Sequence, residues 1–115
     1  MDNQETLFTK IIRREIPAEI IYEDDLCIAF KDINPQAPFH ALLAPKQIIT
    51  QLSESVKSDQ SILGHLLVTA PLIAEQHGYA DAFRLVINNG EAAGQAVFHL
   101  HLHIIAGRNL SWPPG

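Results

Sequence analysis

Between Phe98 and Ile104 apolar residues fall at every second position, and histidine holds the places between them: Phe98, Leu100, Leu102 and Ile104 alternate with His99, His101 and His103. A period of two is the pattern of a β-strand with one face in a core, because successive side chains leave a strand on opposite sides. With Val97 and Ile105 on the histidine side, the pattern predicts a strand with an apolar core face. Its other face carries three imidazoles, each Cα about 6.6 to 6.8 Å from the next.

Other segments supply the sheet that such a strand needs. Ile20-Ile21-Tyr22 and Leu26 to Phe30 are β-favouring runs separated by Glu23-Asp24-Asp25, which predicts a hairpin. A proline-rich loop, Asp32 to Pro38, leads into a third strand at His40 to Ala44, ended by Pro45. Ala82 to Ile87 reads as a fourth strand, Asn88 to Gly94 as a turn, and Gln95 to Ile105 as the fifth.

Two segments have helical spacing. Leu7 to Glu15 places Leu7, Phe8, Ile11 and Ile12 together before Pro17, a short helix preceded by a loose tail at residues 1 to 6. Gln51 to His77 repeats Ile62, Leu63, Leu66, Leu67, Ala70, Ile73 and Ala74 at three- and four-residue intervals, with Gly78 as a stop. Pro71 lacks the donor for the Leu67 carbonyl, so a kink or a split is expected there. The 115 residues, 47% of them hydrophobic, suffice for one domain. The expected class is α+β: a five-stranded antiparallel sheet with a long helix and a short N-terminal helix, the helices on one face.

Charge and cysteine content narrow the function classes. The 8 Lys and Arg against 13 Asp and Glu give a formal charge of −5, the wrong sign for broad contact with nucleic acid or a membrane surface. Lys10, Arg13 and Arg14 read as a solvated helix face. Cys27 stands alone, which excludes a disulfide within the chain and suits a buried small hydrophobe. No apolar run approaches the ~18 residues of a membrane span, and Met1 to Glu5 are acidic and polar where a signal peptide is basic and then apolar. A soluble, cytoplasmic protein is expected.

Three readings of the histidine row compete. Partly buried histidines without function are hard to place three in succession. A metal site is the second. His99 and His103 stand about 13 Å apart at Cα, too far for three rings to converge on one ion, and a two-histidine site needs a carboxylate that residues 92 to 115 do not contain. The third is nucleophilic and electrostatic work on a phosphate. Near pH 7 a neutral imidazole attacks phosphorus while a neighbouring ring donates hydrogen bonds to its oxygens. Attack on a phosphoramidate exchanges one phosphorus–nitrogen bond for another and asks for no carboxylate-bound Mg²⁺, for which the sequence shows no P-loop.

His99-Leu100-His101-Leu102-His103-Ile104-Ile105 resembles the signature of the histidine triad (HIT) proteins. Phe8 to Pro17, Tyr22 to Lys46 with Pro35-Gln36-Ala37-Pro38, Gly94-Gln95, and the ending Ser111-Trp112-Pro113-Pro114-Gly115 extend the likeness over nearly the whole chain. It is nearest to the histidine triad nucleotide-binding protein branch. Histidine at the third triad position disfavours the galactose-1-phosphate uridylyltransferase branch, which has glutamine there.

The resemblance implies a single HIT domain over residues 1 to 115 and a homodimeric purine nucleoside phosphoramidate hydrolase without cofactor or metal. It implies that the partner is a purine nucleoside monophosphate or phosphoramidate. His101 would be the nucleophile that becomes nucleotidylated, His103 a contact to the α-phosphate, and His99 with His40 the relay that orients the nucleophile. Asp32 would hold the ribose, with Phe8, Ile11, Phe30 and Ile33 around the base. On the phosphate side it implies Asn88, Gly94, Gln95 and Ala96, with the amides of Gln95 and Val97. The tail 107 to 115 would lie near the partner subunit's site, which Trp112 would reach. Ala96 departs from the pattern: many close animal members have a serine there, associated with the leaving amine, and alanine has no donor. Ile48 likewise replaces a polar residue common in those members. A nucleotide-binding or partner-binding module with weak or no catalysis is therefore the alternative. His65 and His77 read as structural or solvent-facing.

Overall fold

The computed structural model describes residues 5–115. Of the expected loose tail, residues 1 to 4 lie outside the described residues, and Thr6 is already a helix cap. Its Oγ1 accepts from the amides of Phe8 and Thr9 at 3.2 and 3.3 Å, while Thr9 Oγ1 accepts from the Thr6 amide at 2.8 Å. This reciprocal cap starts helix α1, Leu7–Ile12. The helix ends before the expected Glu15 because Arg14 takes a left-handed φ of 63°.

The sheet has five strands: β1 (Ile20–Glu23), β2 (Cys27–Lys31), β3 (Phe39–Pro45), β4 (Arg84–Val86) and β5 (Leu102–Ala106). They lie in the order β1-β2-β3-β5-β4, and every adjacent pair is antiparallel. Helix α2 (Gln60–Gln76) covers one face, where Leu66, Ala70, Ile73 and Ala74 meet Cys27, Ala29, Ala41, Leu43, Leu102 and Ile104. Helix α1 lies on the other face, with Phe8 and Ile11 against Ile28, Phe30, Leu42 and Ala44. The helices therefore lie on both faces, and β3 is buried along its whole length.

Two expectations about the long helix change. Residues 52–54 and 57–59 form separate 3₁₀ turns, and α2 begins only at Gln60. Asp59 makes the break: its carboxylate accepts from the Val56 amide at 2.9 Å and from Gln47 Nε2 at 3.0 Å. Pro71 does not split the helix, which runs as one element from Gln60 to Gln76. It sits on the solvent side, as does Leu67, so the carbonyl it leaves without a donor faces water. No helix of the described residues is long and apolar enough to cross a membrane.

Strand β5 is half the expected length. Residues 95–101 are irregular, and the register explains why. Leu43 pairs with Leu102, so Leu100 would have to face Pro45, which has no amide to offer a ladder. Phe98 consequently leaves the core and is 40% exposed, whereas His99 is fully buried.

Candidate active site

The missing ladder places the three histidines differently from a flat row. His103 lies on β5, opposite Leu42 of β3 and Val86 of β4. His101 sits at the mouth of β5, and His99 reaches back under the end of β3, where its Nε2–H donates to the carbonyl of Pro45 at 2.7 Å. The proline that stops the ladder thus supplies the acceptor that anchors the first histidine.

Ring by ring, the hydrogen bonds assign the protons. A carbonyl can only accept, so His101 Nδ1–H donates to the His99 oxygen at 2.7 Å and Nε2 keeps a lone pair. His40 Nδ1 accepts from the Gln36 amide at 3.0 Å, so its proton is on Nε2. That nitrogen lies 2.9 Å from His103 Nδ1 and 3.4 Å from Asp32 Oδ2. His103 Nδ1 then accepts, which leaves its Nε2–H as a donor. The chain of bonds produces one nucleophilic ring and one donating ring side by side, with centroids 5.2 Å apart.

The loop that feeds this chain is clamped from the far end of β5. Arg108 Nε donates to the Gln36 carbonyl at 2.9 Å. Gly107, at φ 99°, approaches the loop so closely that a Cβ would stand 2.9 Å from Pro38 Cβ. Asp32 Oδ1 accepts from the Asn34 amide at 2.9 Å. The turn after His103 and the loop before His40 therefore hold each other. Sequence reasoning missed Gln36 as a donor and Arg108 as a clamp, because a side chain bonded to a backbone carbonyl 72 residues away leaves no periodic signal. The carboxylate beside the histidines comes from Asp32, which the resemblance assigned to the ribose and which lies far outside residues 92 to 115.

His101 and His103 open into a pocket of about 290 Å³, near the lower end of small-molecule sites at about 300 Å³ and above. Its lining includes Phe8, Ile11, Phe30, Asp32, Ile33, Gly94, Ala96 and Val97, so the structure brings these expected residues together. Phe8 organises the wall, standing edge-on to His101 with centroids 4.8 Å apart and to Phe30 at 5.2 Å. Ile33 is 97% exposed at the rim.

Other expected contacts fall elsewhere. Gln95 is buried, and its side chain accepts from the Gly90 amide at 2.8 Å and donates to the carbonyls of Thr50 and Val97 at 2.9 and 3.1 Å. Its amide donates to the Gly90 carbonyl at 3.1 Å. Gln95 thus holds the loop instead of facing the pocket, a correction to its expected phosphate contact. Asn88 lies beside Gly94 and is not among the lining residues. Trp112 projects from the chain, 81% exposed, on a tail that Arg84 holds by the carbonyls of Leu110 and Ser111 at 3.2 and 2.9 Å. His77 stacks on Phe39 at 4.9 Å, and His65 meets Asp24 at 2.7 Å.

Burial keeps the site's imidazoles neutral. It lowers His99, His101 and His40 below their ordinary value, opposed by the Pro45 carbonyl, by the His99 carbonyl with Asp32, and by Asp32 respectively. Burial pushes His103 down to about 4, reinforced by His101 and His40. In the unfolded chain these rings take up protons near pH ~6.5. Between that value and about 4 the unfolded state binds more protons, so stability falls as the pH is lowered through this window. Urea midpoints measured at steps from about pH 7 to about pH 4.5 should decline, and less steeply in His103→Ala; equal slopes would remove the assigned cause.

Comparison with known proteins locates the chain. The HIT domain family model matches residues 13–110. An uncharacterized HIT-like protein of Synechocystis is 62% identical over 112 residues, covering 97% of this chain and 98% of that protein. A Zea mays protein named 14 kDa zinc-binding protein is 45% identical over 117 aligned positions, covering 100% of this chain and 91% of its own length. The crystal structure of a HIT family hydrolase from Legionella pneumophila superposes with a TM-score of 0.94 at 41% identity, covering 96% of this chain and 100% of that one.

Proposed function

The chain belongs to the HIT domain family, and from that premise we propose that it is a purine nucleoside phosphoramidate hydrolase working through a nucleotidyl intermediate on His101. One observation carries the reading: the bond from His101 Nδ1–H to the His99 carbonyl, which leaves Nε2 as a neutral nucleophile at the pocket wall.

The Nε2 lone pair attacks phosphorus, and the bond from phosphorus to the substrate amine breaks. The amine leaves with a proton drawn from water, since Ala96 offers no hydroxyl. His103 Nε2–H donates to a phosphate oxygen as negative charge concentrates there. Water then attacks phosphorus, the bond to His101 breaks, and the nucleoside monophosphate departs while the proton lost by water passes to solvent. The base rests among Phe8, Ile11 and Phe30, and the Asp32 carboxylate, whose Oδ2 also lies 3.4 Å from His40 Nε2, holds the ribose. The zinc binding in the maize relative's name has no part in these steps.

Purified protein incubated with adenosine and guanosine 5′-phosphoramidates should release the monophosphates equally well with and without a chelator, and Ala96→Ser should accelerate release of poorer leaving amines. Loss of cleavage in chelator by protein that stays folded by circular dichroism would overturn the mechanism. Tight monophosphate binding without turnover would favour the alternative, a nucleotide-binding module.

We further propose that the protein works as a two-fold homodimer. Supporting this, α2 leaves Leu67, Val68 and Leu72 exposed at 52%, 69% and 42%, Phe98 is also exposed, and β4 is an open sheet edge. In such a pair the projecting Trp112 would serve the partner's site. Light scattering at micromolar concentration should give twice the chain mass, and a monomer mass would refute the pairing.

A further inference from the structure

Ligating side chains converge a second time, away from the pocket, on the α2 side of the hairpin. Asp24 in the β1–β2 turn, Cys27 at the start of β2 and His65 in α2 each offer one ligating atom, and the three atoms lie within 4.8 Å of one another. They come from two segments far apart in the chain, the β1–β2 turn with the first residue of β2, and α2. Asp24 Oδ1 accepts from the amides of Leu26 and Cys27, both at 2.8 Å, so the carboxylate is fixed by the turn itself. Its Oδ2 meets His65 Nε2 at 2.7 Å and the Tyr22 hydroxyl at 3.0 Å. Cys27 is fully buried, whereas the side chains of His65 and Asp24 are 29% and 27% exposed. The cluster therefore has a closed floor and an open side, by which an ion and a water ligand can enter.

We propose that Asp24, Cys27 and His65 form a zinc site that staples the β1–β2 turn to α2. A sulfur, a nitrogen and an oxygen suit zinc, which takes four tetrahedral ligands at about 2.0 to 2.3 Å; calcium and magnesium want oxygens alone. Tetrahedral ligand atoms stand roughly 3.3 to 3.8 Å apart. A turn of the partly exposed His65 ring widens its 2.7 Å contact into that range without moving the pinned carboxylate. On binding, Cys27 loses its proton to solvent and the new bond is zinc to thiolate. One thiolate and one carboxylate then neutralise the ion, so no net charge is left in a half-buried place. Without metal, burial and then the adjacent Asp24 push the thiol up to about 12, which keeps it protonated.

The second ligand-rich cluster, Asp32, His40 and His103, belongs to the pocket and serves as the control. Full-length protein, stripped with a chelator, is titrated with Co²⁺ and then with Zn²⁺. Wild type and His103→Ala should each take one equivalent of Co²⁺ with a thiolate-to-cobalt charge-transfer band, which Zn²⁺ displaces. Cys27→Ser should lose the band. His65→Gln keeps the thiol, and its affinity should fall at least about tenfold. No band in wild type, a band that survives Cys27→Ser, or full affinity in His65→Gln would each overturn the site. Phosphoramidate cleavage by the stripped protein is a separate measurement, so neither result decides the other.

Discussion

His101→Ala should lose phosphoramidate cleavage by at least about 10⁴-fold in kcat, the scale on which removal of a covalent nucleophile acts. No neighbouring ring can replace it. His99 is fully buried and its Nε2 is committed to the Pro45 carbonyl. His103 accepts from His40 through Nδ1, and its remaining nitrogen is a donor. Nucleoside monophosphate should still bind, because Phe8, Ile11, Phe30 and Asp32 are untouched. Steady-state rates together with equilibrium binding check both halves, and retained turnover would remove His101 from the mechanism.

Leu66→Ala should produce the opposite separation. Leu66 is 1% exposed between α2 and the sheet, where its loss opens a cavity in the larger core cluster. Such truncations cost about 2 to 5 kcal/mol, and a domain of this size should melt roughly 10 °C or more lower. At temperatures well below the transition its kcat should stay near wild type, since Leu66 lies across the sheet from the pocket. A calorimetric scan beside an assay gives both numbers. An unchanged melting temperature would mean that α2 is not seated as described.

How much of this was legible beforehand follows from which signals are local. Alternation in 97–105 and the proline at 45 announced a strand and its neighbour, and the apolar spacing of 62 to 74 announced α2. The length of β5 was not legible from residues 95–101 alone, because what stops it is Pro45 in another strand, through the register Leu43 to Leu102. For the same reason Phe98 and His99 exchange environments relative to a regular strand. Thr6 as a cap and Arg14 in a left-handed conformation set the ends of α1 more tightly than Pro17 does.

The site was legible in its residue types and obscure in its connections. His101, His103, Asp32 and the apolar wall converge on one pocket, as their resemblance to the histidine triad pattern implied. Gln95 has a different task, since a glutamine buried in a loop must satisfy its own amide, and here it does so by bonding Gly90, Thr50 and Val97. The Gln36 amide that sets the His40 tautomer, and the Gln36 carbonyl that Arg108 Nε bonds, are backbone groups that a side-chain pattern does not encode.

The most direct test is to quench the wild-type protein during turnover of a labelled adenosine 5′-phosphoramidate and map the adduct by peptide mass spectrometry. The expected result is a single adenylyl group on His101, formed and discharged at rates compatible with kcat. Turnover with no adduct at any quench time, or an adduct on His103, would contradict the assignment of Nε2 of His101 as the nucleophile.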